Sequence, residues 1–283
     1  DSSGTPLFEF SPLPTRDFPT TNVETTAIFV QSEIAMLSDR FLLMPGLRYD
    51  DVEATTAPDM LYFAGNPGVG EPTDFADSAT SLKLGALYRL DNNSAIFANY
   101  SEGFRAPPYD DVNLGFSNAM GGYKTVSAPN LTSETSEGIE VGLRTRSENW
   151  NASIALFQTD FDDFIAAAGE GHCSRQYQVT GCRDPLDGFL VFQSENLESV
   201  TIEGVEIKAE LDLASIGLEN MDLRLAAAYA SGEETNTNDP INTIQPLSGV
   251  LGISYRNPAG DWSASTVLTP VSYTHLTLPT NSN

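Results

Sequence analysis

Arg105 lies in the run Tyr100-Ser101-Glu102-Gly103-Phe104-Arg105-Ala106-Pro107-Pro108-Tyr109-Asp110-Asp111, where an alternating apolar segment gives way to a polar one. A guanidinium at that point has two readings. It pairs with an anionic group of a ligand, since its planar fork suits carboxylates. Or it pairs with the loop carboxylates Asp110 and Asp111. Pro107 and Pro108 fix the exit of the chain from the segment. Cys173 and Cys182 are close in sequence with polar residues between them. They suit a small disulfide clip in an oxidising compartment, with two free thiols as the other reading. The acidic runs Asp110-Asp111 and Asp160–Asp163 could attract Ca²⁺, but they lack the ordered spacing of a calcium loop and read as solvated charge. Enzymatic chemistry has little to draw on. No nucleophile elbow, zinc helix or Ser/His/Asp set is present, and His172 is the one histidine before residue 271. The expectation is a protein without catalytic residues, catalytic cofactor or metal site.

The elements that must position these residues read as strands. The formal charge of −25 argues against nucleic acid, which needs Lys and Arg to displace counterions. It also argues against a polybasic membrane-surface protein. No apolar run is long enough for a transmembrane helix. From Val23 the polarity alternates with period two. In one stretch Leu82, Leu84, Ala86, Tyr88 and Leu90 share a face against Lys83, Gly85, Leu87 and Arg89. In another, Val205, Ile207, Ala209 and Leu211 oppose Glu206, Lys208 and Glu210. Ten strands are expected, at about 23–37, 41–54, 79–90, 94–105, 135–147, 150–164, 189–211, 221–232, 246–256 and 261–269. Tight turns such as Asp91-Asn92-Asn93 alternate with long loops at about 55–78, 106–134, 165–188 and 233–245. Long strands in a meander, with short turns at one end and long loops at the other, indicate an all-β fold, an antiparallel transmembrane β-barrel. Its charged face would line a wet or plugged lumen. Tyr49, Tyr88, Tyr100, Trp150, Tyr229, Tyr255 and Trp262 fall near strand ends, as an interfacial girdle requires.

Two boxes carry a more specific likeness. Phe104-Arg105-Ala106-Pro107 looks like the FRAP box of TonB-dependent outer-membrane receptors of the haem/haemoglobin branch. Ala128-Pro129-Asn130-Leu131, followed by Glu134-Thr135-Ser136, resembles the NPNL box of that branch, with Ala128 where Asn is usual. Pro45-Gly46-Leu47-Arg48-Tyr49-Asp50 and Ile202-Glu203-Gly204-Val205-Glu206 also look like its strand segments. The resemblance implies a 22-stranded barrel closed by an N-terminal plug. This chain then corresponds to a fragment of about ten strands from the middle and later barrel, with two open edges, and alone it forms no stable transporter. The implied function is energised uptake of an iron-containing ligand across the outer membrane of a Gram-negative bacterium. The ligand would be haem, a haem protein or a ferric siderophore, and the partner an inner-membrane TonB energy-coupling complex reached through the N-terminal region. An extracellular β-rich binding or adhesion module is the alternative. The resemblance makes Phe104, Arg105, Ala106 and Pro107, with Pro129, Asn130 and Leu131, the ligand-binding boxes. It also leads one to expect a histidine between the boxes as a haem-iron ligand. Phe104–Leu131 contains none. Tyr123 is the nearest substitute, because a phenolate can ligate haem iron. Tyr109 is a weaker one, and His172 could reach in from another loop. The bland reading is that all three simply belong to the loops.

Residues 1–22 read as a loop leading into a barrel segment at 23–270. Residues 271–283, containing Val271-Ser272-Tyr273-Thr274-His275-Leu276, resemble the conceptual translation of a sequencing adaptor and read as a foreign tail.

Overall fold

The computed structural model describes residues 16–66, 71–118, 120–241, 244 and 247–272. Ten long or medium strands form one antiparallel meander: β1 (Thr20–Gln31), β3 (Phe41–Ala57), β4 (Phe75–Arg89), β5 (Ser94–Arg105), β8 (Glu134–Arg146), β9 (Trp150–Ala166), β11 (Glu195–Asp212), β12 (Met221–Glu234), β13 (Leu247–Arg256) and β14 (Ser263–Leu268). Two short strands join the same sheet, β2 (Ile34–Met36) on β3 and β15 (Val271–Ser272) on β13. The sheet is open, with β1 at one end of the order and β14 at the other. Among the described residues no helix is long and apolar enough to cross a membrane, which says nothing of strands.

Alternation decides which side of the wall each residue takes. On one face, Leu47 stands opposite Leu82, Ile96 opposite Leu143, Leu143 opposite Ile154, and Ile154 opposite Ile207. All of these are exposed. An apolar exposed face this wide does not suit water but matches the lipid-facing band of a barrel. The other face carries the row Lys83, Ser101, Gly138 and Thr159. A second row is Gly85, Asn99, Glu140, Phe157 and Gly204, in which Asn99 Nδ2 donates to Glu140 Oε2 at 3.0 Å. The tight turns are locally built. In the β4–β5 turn, Asp91 Oδ1 accepts from the Asn93 and Ser94 amides, both at 2.7 Å, as an aspartate turn does.

Several boundaries differ from the alternation pattern. The 23–37 segment is β1 plus β2, because Pro45 lies opposite the break and has no N–H to give. The strand also starts earlier, at Thr20, so the end of the expected leading loop is already wall; residues 1–15 lie outside the described residues. The 189–211 segment divides at Gln193-Ser194: β10 (Leu190–Phe192) leaves for a second sheet and β11 follows. The 106–134 loop is not featureless. It contains β6 (Phe116–Asn118) and β7 (Tyr123–Thr125), which pair with β10 in the order β10-β7-β6. Helices α1 (Met60–Gly65), α2 (Tyr109–Asn113) and α3 (Arg175–Gln178) are also loop elements. At the far end, Val271 and Ser272 pair with Ser248 and Leu247; residues 273–283 lie outside the described residues.

Candidate ligand-binding assembly at the loop end

The meander puts all four long loops, 58–74, 106–133, 167–194 and 235–246, at one end of the wall. The two boxes begin and close the second of them. Arg105 and Glu134 face each other across the β5–β8 ladder. The guanidinium grips Glu134 bidentately, Nε to Oε1 at 3.2 Å and Nη2 to Oε2 at 2.7 Å. It also donates to the Ile165 carbonyl at 3.4 Å, while the Ile165 amide donates to Glu134 Oε2 at 2.8 Å. Glu134 and Ile165 are both buried. One carboxylate therefore joins three strands, β5, β8 and β9. The partner of Arg105 is Glu134, not Asp110 or Asp111. Asp111 instead accepts from Ser194 Oγ at 2.6 Å, and that hydroxyl accepts from the Ala168 amide at 2.9 Å. Burial raises the Asp111 carboxyl above the ordinary aspartate range.

Above this weld the boxes fold onto one another. Ala128 to Leu131 form a turn closed by the Leu131 amide on the Ala128 carbonyl at 3.2 Å, with Pro129 and Asn130 exposed at its corners. Ala128 and Leu131 point inward and make a buried cluster with Val112 of α2 and Ile165. Of the first box, Pro107 is buried, Phe104 and Ala106 are half-buried, and the Arg105 residue is exposed around its grip on Glu134. Apolar box residues thus supply a core, and polar ones supply its ties.

Those ties run to the neighbouring loops. Asn113 clasps Thr73 twice: the Thr73 amide donates to Oδ1 at 2.8 Å and Nδ2 donates to the Thr73 carbonyl at 3.0 Å. Asn196 clasps Thr132 in the same way, at 2.9 and 3.1 Å. The β10-β7-β6 sheet welds the 106–133 loop to the 167–194 loop. Lys124 fastens it, with Nζ 2.6 Å from Asp184 and 2.8 Å from Asp187. Burial works against the charged amine, yet its two carboxylates hold its pKa above the ordinary lysine value. Cys173 and Cys182 are joined by a disulfide, their Cα atoms 5.8 Å apart. Replacing both by Ser is expected to destabilise the clip by about 3 kcal/mol on a chain-entropy account. Faster proteolysis of 167–194 in the complete receptor, with 106–133 loosened alongside, checks it.

The candidate iron ligands fall in three settings. Tyr123 stands in β7 between Phe116 and Phe192, with ring centroids 5.9 and 6.1 Å away. Tyr109 opens α2 and meets Phe18 edge-on at 5.5 Å. His172 Nε2 lies 3.3 Å from Glu195 Oε2. It lines a cavity of about 430 Å³ with Phe164, Leu197, Arg175 and Glu234, the last two forming an ion pair. The aromatic cluster holds Tyr123; His172 is turned to the cavity. Glu134, Asn113 and Asn196 were not singled out by sequence reasoning. Sequence reading named Glu134 only within the Glu134-Thr135-Ser136 segment that follows the second box, and placed it at the end of the expected 106–134 loop.

A family model described as TonB dependent receptor-like, beta-barrel matches residues 2–282. The chain belongs to this family. Its curated relatives include "Hemoglobin-haptoglobin utilization protein B" of Neisseria meningitidis, 28% identical over 82% of this chain. They also include "Probable hemoglobin and hemoglobin-haptoglobin-binding protein 4" of Haemophilus influenzae, 29% identical over 68% of this chain. The chain spans 30% of the length of the first and 19% of the second. Among solved structures it is similar to the haemophore receptor HasR of Serratia marcescens, with TM-score 0.64, 15% identity, and coverage of 89% of this chain and 44% of that one. The copper transporter OprC gives TM-score 0.63 at 19% identity, covering 89% of this chain and 34% of that one. These low-identity likenesses establish the barrel wall.

Proposed function

We propose that this TonB-dependent receptor segment supplies part of the wall and outer loops of an outer-membrane receptor that takes up haem, delivered free or on a haem protein. The observation that carries the reading is the loop assembly itself. The two boxes, the aromatic Tyr123 cluster and the loop sheet form one tied body at the end of a wall with a polar inner face. Relatives named for haemoglobin and haemoglobin-haptoglobin support the haem branch over a ferric-siderophore receptor. The wall supplies position rather than catalysis. Energy would come from the inner-membrane TonB complex acting through the N-terminal region of the whole receptor, in the outer membrane of a Gram-negative cell.

Within this reading the FRAP-like residues Phe104–Pro107 and the NPNL-like Pro129, Asn130 and Leu131 shape the ligand-binding loops. Arg105 does so through Glu134. Tyr123 is the proposed iron ligand: it stands in an aromatic cluster with Phe116 and Phe192, with a phenolate to offer. Tyr109 and His172 are the lesser candidates. The test is haem titration into the purified complete receptor, wild type and Tyr123→Phe. Phe keeps the ring packing and removes the ligating oxygen. The expected result is a phenolate-ligated ferric spectrum in the wild type that is lost in the variant, with haem affinity falling at least tenfold. An unchanged spectrum removes Tyr123. A receptor that binds a ferric siderophore and no haem moves the chain to the siderophore branch.

A further inference from the structure

The apolar band on the lipid side of the wall is not of even height. On β3 it takes the outward positions Phe41, Leu43, Pro45, Leu47 and Tyr49. On β9 it runs only from Trp150 to Leu156, and on β11 only from Leu211 to Val205. At about 3.3 Å per residue and a tilt of about 40°, each of these shorter runs covers about 15 Å of height. The lipid-facing band of a barrel is about 25 Å tall. Trp150 and Leu211 stand opposite each other at the short-turn end, so the shortfall lies toward the loops.

A groove occupies that place. Its apolar floor is the row Val141, Leu156 and Val205, each opposite the next, with Ile139 one position nearer the loops. Tyr100 and Tyr229 flank it. Beyond the floor Gln158 stands opposite Glu203, and Glu137 opposite Asp160. The groove has a volume of about 620 Å³, apolar toward the middle of the wall and acidic toward the loop end. Ile139, Val141, Leu156 and Tyr229 are exposed, with no protein covering them.

The acidic end has no counter-charge of its own. The cations of these strands, Arg105, Arg144, Arg146, Lys208 and Arg224, all take the inward-facing alternate positions, and the outward positions hold no Lys or Arg. Among the described residues no ion pair reaches Glu137, Asp160 or Glu203. Asp160 accepts from neutral partners, Thr201 Oγ1 at 2.7 Å and Gln158 Nε2 at 3.1 Å. Carboxylates at this depth are costly against hydrocarbon, and lipid phosphates beside them add repulsion. Depth and sign together call for a positive head group drawn down to the carboxylates, with its chain on the apolar floor. A divalent cation bridging to phosphate fits less well, because among the described residues no group of His, Cys, Asp and Glu is arranged to hold a metal ion. A primary ammonium offers N–H donors to carboxylates that accept, in charge-assisted bonds.

We propose that this groove binds one outer-leaflet lipid whose head group carries a primary ammonium. Glu137, Asp160 and Glu203 hold the head, and an acyl chain lies on Ile139, Val141, Leu156 and Val205. The site is on the lipid side of the wall and shares no residue with the loop assembly assigned to haem, so it stands or falls apart from that reading.

The test uses the complete receptor purified in detergent and titrated with dioleoylphosphatidylethanolamine or dioleoylphosphatidylglycerol. These probes share their chains and differ in the head. Bound lipid is counted by native mass spectrometry, with calcium and with EDTA. The expected result is phosphatidylethanolamine held about fivefold more tightly in either condition, the upper end for an exposed ion pair. Glu137→Gln, Asp160→Asn and Glu203→Gln combined keep the side-chain shapes and should abolish the preference. Glu203→Lys alone should reverse it. The three side chains are exposed, so both variants should keep the parent's mobility in unheated detergent gels. Equal retention of the two lipids by the parent overturns the proposal. So does a preference that survives removal of the charges, which would put the lipid elsewhere. Phosphatidylglycerol retained with calcium and lost in EDTA would make the groove a divalent-cation bridge and overturns the ammonium site.

Discussion

Replacing Glu134 by Ala in the complete receptor is expected to unfasten the loop end of the wall at an expense of about 2 kcal/mol, the scale for leaving a buried donor without its acceptor. The figure reflects two losses. The exposed Arg105 guanidinium loses its bidentate carboxylate, and the buried Ile165 amide is left without an acceptor. The effect should reach beyond the pair, because Ile165 also belongs to the cluster with Val112, Ala128 and Leu131. Glu134→Gln should cost only about 1 kcal/mol, since its carbonyl can still accept from Ile165. Arg105→Lys should fall between them, keeping the charge and losing the fork. Amide exchange at Ile165 and proteolysis across 106–133 read the outcome. Glu134→Ala with exchange equal to wild type would mean the weld is ornamental, and Arg105 would return to the list of residues that touch ligand.

The second large effect lies in the wall. Gly204 pairs with Phe157 on the inner face, and a Cβ placed on it would come within 2.6 Å of the Phe157 ring and closer still to the Tyr229 carbonyl. Gly204→Val therefore forces both a side chain and a neighbouring strand to move. A destabilisation of about 3 kcal/mol is expected, the upper end of the overpacking range. Gly142, where a Cβ would lie 2.6 Å from a Phe97 ring atom, repeats the arrangement between β5 and β8. Adding Phe157→Ala to Gly204→Val should recover part of the loss and not all of it, since the carbonyl remains. The readout is the fraction of complete receptor that resists denaturation in unheated detergent gels, together with its urea midpoint.

The wall was legible because period-two alternation is a local property. The faces of Leu82–Leu90 and Val205–Leu211 could be assigned with no knowledge of partners, and each strand pairs with its sequence neighbour. The breaks were less so. Pro45 marks the lapse between β1 and β2, but its effect depends on the register that brings it opposite Ser32-Glu33. The loops were the hard part. Leu190–Phe192 reads as the start of a strand whichever sheet it joins, and only the tertiary fold sends it to Tyr123–Thr125. In the site, the boxes marked the right segment, yet the role of Arg105 turns on a carboxylate 29 positions away. Asn113 and Asn196 act on backbone groups of distant loops, and such contacts leave no local trace in a sequence.

The most direct measurement is growth of iron-starved cells expressing the complete receptor, with haemin or haemoglobin as sole iron source, in strains with and without the inner-membrane energy-coupling complex. Growth on both sources, only where the coupling complex is present, is the predicted result. Growth restored by a ferric siderophore but by neither haem source would contradict the account, as would haem-dependent growth that persists without coupling.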